Sequence, residues 1–476
     1  MPSSDAPALP PQGDNPLEPP GPAEGLIFDE HDDYISELSE LVAVPSVSRD
    51  ADAPTMLAAA RWLAAQLDFA GGRVEPTAGH PVVRGEWLGA VGAPTVLVYG
   101  HYDVQPTGDL AEWVAPPFEL VTDGDVIRGR GSSDDKGPVY IVLKTARAFM
   151  AQEGGLPLNV KFLFEGEEEI GSPHLPGYLT EHAAELAADL VISADGAMWR
   201  PDEPSLSVAS KGLVSLDIVV TGARTDLHSG RYGGTVANPL HALSQVLASL
   251  HRPDGMVAVP GFYDGIPPLS DARRREIAAV DFSETNYLAG LGLDATHGEP
   301  GYSTLERLWE RPTLEVNGVA GGGKYTVIPH VAIGHVSCRL VPGQDPGAVI
   351  AAISAHVLAQ APAGVRVEVR PDEARVPAYT IPASHPAIRA ATAALEAVYP
   401  GQPVLHAKIG GTLPATDLFE RALGAKTLFF SFSTSDENLH APNEFLRIPR
   451  LREGMRAWEQ LWRLLAAGPF RLGGDS

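Results

Sequence analysis

The sequence predicts a three-layer α/β domain that is interrupted by an inserted α+β domain. Two observations carry this. Short apolar runs ending in Gly, Asp or Pro alternate with helical stretches in the first and last parts of the chain. Between those parts the apolar pattern changes to strict alternation, as in sheets with one covered face.

In chain order, residues 1–25 (MPSSDAPALPPQGDNPLEPPGPAEG) are Pro-rich and poor in large apolar side chains, which predicts a disordered tail. They lack the basic and apolar regions of a secretory signal. HDDYISELSELVAVPSVS predicts an amphipathic helix that stops near Pro45. APTMLAAARWLAAQLDFAGG predicts a second, with Met56, Ala60, Leu63 and Leu67 at helical spacing and Gly71 as its C-terminal cap. PTVLVYG (94–100), LNVKFLFEG (158–166) and ADLVISADG (188–196) read as strands buried on both faces, and PVYIVLKTARAFMAQ (138–152) as a helix between them. From Gly212 the style changes. GLVSLDIVVTG, AIGHVSCRLVP and RVEVRP alternate like half-exposed strands, NPLHALSQVLASL forms a helix capped by Asn238, and a further helix lies around 346–360. SHPAIRAATAALEAVY returns to the first style. The expected division is 26–211 with 381–476 as one domain, split by 212–380.

Bulk properties exclude several functions. With 44% apolar residues over 476 positions the chain can build substantial cores. A formal charge of −25 argues against nucleic acid or an anionic membrane as partner, while allowing carboxylates gathered around cations. No apolar run approaches the roughly 18 residues of a membrane span. The single cysteine, Cys338, leaves no disulfide framework and no thiolate metal site, so a reducing, cytoplasmic compartment is expected.

The chemistry-bearing residues collect at strand ends. VLVYGHYDVQP places His101 and Asp103 in the exit of one strand, either as a structural pair or with Asp103 accepting the proton of the ring nitrogen that does not bind metal. GRGSSDDKGPV does not match the Walker spacing. It is either a capping turn, with Ser133 or Asp134 as the cap, or a loop offering Asp134 as a carboxylate that bridges two cations. FLFEGEEEIGSP sets Glu167, Glu168 and Glu169 against a buried strand, as a solvated turn or as acids aimed at positive charge. VISADG ends a strand at Asp195, and STSDENLHAPNE puts His440 in a polar loop. Two imidazoles and several carboxylates at the carboxyl edge of an α/β sheet suit zinc, manganese or cobalt and are too rich in nitrogen for calcium.

His101-x-Asp103, GSSDDKG, EGEEEIGS, ISADG and LHAPNE occur in the order found in the M20 metallopeptidases, which the chain after the tail resembles throughout. GHYDVQP, DLHSGRYGG, KYTVIP and RLVP resemble the cytosolic, carnosinase-like dipeptidase branch. The resemblance implies a zinc-peptidase catalytic domain with a ferredoxin-like lid and dimerisation domain, a homodimer, and two Zn2+ per subunit, with Mn2+ or Co2+ as alternatives. It implies that His101 and Asp195 hold one metal, Glu169 and His440 the other, and that Asp134 bridges them. Glu168 would be the general base, Asp103 would orient His101, and a cis peptide would follow Asp134. His228 would reach the partner subunit's site to stabilise the oxyanion. Thr326, Arg339 and Thr412 would contact substrate, Arg339 through its C-terminal carboxylate. Thr412 stands where the family usually has serine and Lys408 where it often has arginine. Glu167 is expected outside the metal sites and facing water.

The expected activity is hydrolysis of dipeptides or short peptides. The alternatives are an N-acyl-amino-acid amidohydrolase with the same metals and a non-catalytic metal-binding dimer.

Overall fold

The computed structural model describes residues 25–28, 31–411 and 414–468. The tail up to residue 24 and Thr412 lie outside the described residues. The main sheet runs Arg73–Glu75, Val82–Trp87, Asn159–Glu165, Thr95–His101, Leu190–Ser193, Thr427–Phe429 in spatial order. The last four strands are mutually parallel and the first two antiparallel.

Side-chain alternation along these strands divides the core into two layers. Val96, Val98, Phe162, Phe164 and Ile192 face helices Ala53–Gln66, Lys136–Glu153, Pro386–Val398 and Ile448–Ala467. Leu97, Tyr99, Leu163 and Val191 face the other side, where Leu175–Glu181 and Pro414–Leu423 pack. That double burial is why these runs read as continuously apolar. The strand Thr95–His101 runs one residue further than expected, because His101 still pairs with Glu165.

The second helix ends earlier than its apolar spacing suggested. It stops at Gln66, and a separate turn, Asp68–Ala70, ends at Gly71 with φ 63°. The turn before Lys136–Glu153 also differs from expectation. Its N-cap position is Asp135, whose side chain makes no capping bond. Neither Ser133 nor Asp134 caps the helix, which leaves the Asp134 carboxylate free to face the cleft. The Asp134–Asp135 peptide is cis.

The second sheet is antiparallel, in the order Thr313–Ala320, Val331–Leu340, Gly212–Thr221, Arg366–Val376. Val214, Leu216, Ile218 and Val220 point to one face, which helices Pro239–Ser249 and Pro346–Ala359 cover. A small sheet of Tyr379–Thr380, Ser205–Ser210 and Leu405–Ile409 lies where the chain enters and leaves this unit. The helical stretch from Asp271–Ala278 to Thr304–Glu310 behaves differently. Its Ile277, Val280, Leu305 and Trp309 pack with Ala407, Leu405 and Trp199, on the small sheet and not on the antiparallel one.

Candidate metal centre

The parallel strands end together, and their exits converge on one cleft. His101 closes its strand, Asp195 follows Leu190–Ser193 by two residues, and Glu168 and Glu169 open the single turn Glu168–Ile170 beyond Asn159–Glu165. The approach of the Asp134 loop requires Gly100, since a Cβ there would lie 2.7 Å from Asp135 Oδ2 and 2.5 Å from Val139 Cγ2.

Asp134 stands between two imidazoles. His101 Nε2 lies 3.1 Å from its Oδ1, and His440 Nε2 lies 2.9 Å from its Oδ2 and 3.2 Å from Glu169 Oε2. Ligand atoms of His101, Asp134 and Asp195 come within 4.8 Å of one another, and so do those of Asp134, Glu169 and His440. Asp134 thus belongs to both groups. His440 adopts φ 61°, a left-handed conformation that non-glycine residues seldom take and that occurs at ligand-holding sites.

The electrostatics follow from crowding. Burial pushes Asp195 up to about 6, helped by the charges of Asp134 and Glu169. Burial also raises Glu168 well above the carboxylate range, with Asp195, Asp134 and Glu169 adding to it. Hydrogen bonds to Asp134 and Glu169 carry His440 up to about 10. For His101, burial works downward, but Asp103 and Asp134 overcome it and the ring is raised. Four carboxylates facing one cleft beside two imidazoles form a donor set that fits divalent cations.

Asp103 meets the His101 ring through its main chain as well as its carboxylate. His101 Nδ1 is 3.0 Å from the main-chain oxygen of Asp103 and 3.5 Å from its carboxylate. A proton on Nδ1 donated to that carbonyl leaves Nε2 as the ligand atom. The Asp103 carboxylate also accepts the backbone N–H groups of Glu168, at 3.2 Å, and Glu169, at 3.0 Å. It fixes the turn that carries both acids.

Glu167 corrects the sequence reading. It is buried, lies 2.8 Å from His174 Nδ1, and accepts the backbone N–H of His80 at 3.1 Å. It anchors the turn to the 77–80 loop and does not face water.

Two positioning residues were not singled out in the sequence. Gln105 donates to Glu169 Oε2 at 2.9 Å. Glu444, in the same LHAPNE run as His440, is fully buried and accepts from the backbone N–H groups of Gly131, Ser133 and Asp134 at 2.9–3.0 Å and from Arg130 Nη1 at 2.8 Å. Burial pushes Glu444 up to about 7, against the pull of Arg130. The acid that closes the His440 motif thus holds the loop carrying Asp134.

The remaining expected site residues lie elsewhere. His228 is exposed and accepts the Gly230 N–H through Nδ1 at 3.0 Å. Thr326 meets it through a two-stranded ribbon, its carbonyl accepting the Ser229 N–H at 3.0 Å. Arg339 lies opposite Leu213 and Thr313 in the antiparallel sheet. None of the three lines the cavity beside Asp134, which Glu168, Asp195, His440 and Lys408 do line.

The model of peptidase family M20/M25/M40 matches residues 97–464. The chain belongs to this family. Among its M20 relatives, Cys-Gly metallodipeptidase DUG1 of Candida albicans is 29% identical over 452 residues, covering 89% of this chain and 92% of that protein. Human Beta-Ala-His dipeptidase is 28% identical over 378 residues, covering 76% and 73%. The solved structure of the dipeptidase Dug1p from Saccharomyces cerevisiae superposes with a TM-score of 0.75 at 27% identity, covering 92% of this chain and 97% of the other. The M20 metallo-carboxypeptidase Sso-CP2 from Sulfolobus solfataricus gives 0.80 at 29% identity, covering 92% and 100%. The chain is therefore a metallopeptidase of the M20 type, with a catalytic domain and an inserted lid domain. Among the described residues no helix is long and apolar enough to cross a membrane.

For this M20 peptidase, Glu444→Gln is expected to weaken divalent-cation affinity roughly 10- to 100-fold. The amide NH2 would face backbone N–H groups it cannot accept from, loosening the Asp134 loop. Competition against a chelator, with circular dichroism to verify folding, checks this.

Proposed function

We propose that this chain is a dinuclear zinc dipeptidase, working in the cytoplasm as a homodimer joined through its inserted domain, 212–380. One observation carries the reading: the two oxygens of Asp134 face His101 and His440 from opposite sides, at 3.1 and 2.9 Å. A carboxylate so placed suits a bridge between two cations. His101 and Asp195 would hold one, and Glu169 and His440 the other. Mn2+ or Co2+ would suit the same donors.

Bound by these residues, divalent cations would supply Lewis-acid polarisation of the scissile carbonyl and acidification of the attacking water. Glu168 belongs to neither ligand group, yet it lines the same cavity. It takes the water's proton as the oxygen adds to the carbonyl carbon. When the C–N bond breaks, Glu168 returns that proton to the leaving amine. Asp103 keeps the Glu168–Glu169 turn in place through its two N–H contacts. The partner subunit's His228 stabilises the oxyanion. Arg339 binds the substrate's C-terminal carboxylate by its fork, and Thr326 and Thr412 add hydrogen bonds.

The test compares a free dipeptide, such as Leu-Ala, with the matching N-acetyl amino acid, on enzyme loaded with defined metals. Turnover of the dipeptide, abolished by chelator and restored by Zn2+, is expected. Hydrolysis of the acylated compound alone would establish an amidohydrolase instead.

A further inference from the structure

We propose that the cavity beside the metal centre contains a side-chain subsite that selects dipeptides bearing a medium-sized or large apolar side chain. Trp199 and Ile409 are its specificity-determining residues, and Glu310 is the positioning residue that occupies Lys408. This rests on the dipeptidase reading above.

The cavity measures about 430 Å³. Asp134, Glu168, Asp195 and His440 share its lining with Ala197, Met198, Trp199, Ala407, Ile409 and Leu439, which supply an apolar wall. The wall is rigidly backed. Trp199 meets Trp309 edge to face, with ring centroids 5.2 Å apart, and its main-chain N–H donates to Ser205 Oγ at 2.7 Å. Trp309 is itself buried with Ile277, Val280, Leu305 and Ala407. The helical stretch of the insert thus braces the subsite from behind.

The wall's lysine does not counter its apolar character. Lys408 Nζ lies 2.6 Å from Glu310 Oε2, and Glu310 Oε1 accepts from Arg273 Nε at 2.9 Å. An acidic side chain entering the cavity would leave water for this apolar wall and would have to displace Glu310 to pair with Lys408. An apolar side chain meets no such cost and removes apolar surface from water on both partners.

Two dipeptide sets, Xaa-Ala and Ala-Xaa with Xaa as Ala, Leu, Met, Phe or Glu, separate the claims. Turnover by the metal-loaded wild-type enzyme tests the dipeptidase reading. Calorimetric Kd values on metal-loaded Glu168→Gln protein test the subsite, whether or not any peptide is turned over. In at least one set, Leu, Met or Phe is expected to bind about tenfold or more tighter than Ala, and Glu the weakest. Added to that protein, Trp199→Ala and Ile409→Ser should each shrink the Leu/Ala ratio, and Trp199→Phe should preserve it. Glu310→Gln should release Lys408 and raise Glu-peptide affinity relative to Leu. Equal Kd values in both sets, or tightest binding of the Glu peptides, would overturn the subsite. Absence of turnover with every metal, alongside the expected Kd order, would overturn only the dipeptidase reading.

Discussion

Glu168→Gln is expected to lower kcat about 10³-fold while leaving bound metal unchanged, the loss typical of removing a positioned general base. Glutamine keeps the size and the backbone contacts to Asp103 but cannot take a proton. The carboxylates that raise Glu168 are Asp195, Asp134 and Glu169, after burial. All three belong to the ligand groups, so bound cations would offset their charge and bring Glu168 back toward the ordinary carboxylate range. A base in that position exchanges a proton with water readily in both directions. Metal analysis and steady-state rates on the same preparation decide the matter. Near-normal turnover with full metal would remove Glu168 from this role.

The second large effect concerns His228. His228→Ala is expected to reduce kcat by roughly 10²- to 10³-fold, as loss of an oxyanion donor does. Within one chain His228 is exposed and does not line the cavity; in the proposed homodimer the effect comes from the second subunit. Co-expression of His228→Ala and Glu168→Gln chains with different tags provides the check. Statistical mixing makes half of the dimers mixed, and each mixed dimer has one intact site, so about a quarter of wild-type activity should return. Purified mixed dimers with no recovered activity would exclude the shared site.

How much of this was readable from sequence depends on distance along the chain. The parallel strands were legible because burial on both faces writes continuous apolar runs, as in Thr95–His101. The alternating strand Gly212–Thr221 was legible because a single face meets helices. His101, Glu167–Glu169 and Asp195 stood out because each closes an apolar run, whereas Asp134 and His440 lie in polar loops. Pairings were not legible. Glu167 reads as one of three acids, and its engagement of the 77–80 loop depends on a contact 87 residues away. Glu310 has no local sign of its tie to Lys408, 98 residues later. The helical stretch 271–310 buries few apolar residues, among them Ile277, Leu305 and Trp309, and nothing in their spacing says which neighbour they cover. The fine geometry at Asp103 escaped as well, because spacing alone does not separate a main-chain oxygen from a carboxylate.

The hold of Glu444 on the Asp134 loop spans 310 residues. A ribosome releases Asp134 long before Glu444 and His440 exist, with the whole inserted unit made in between. Closing so long a loop is slow and follows local folding. The two halves of the metal centre therefore meet only after residue 444 has been made, when the insert has had time to fold. A chain cut short before residue 440 would contain all six strands of the main sheet but would lack both His440 and the helix Ile448–Ala467 that covers one face of it.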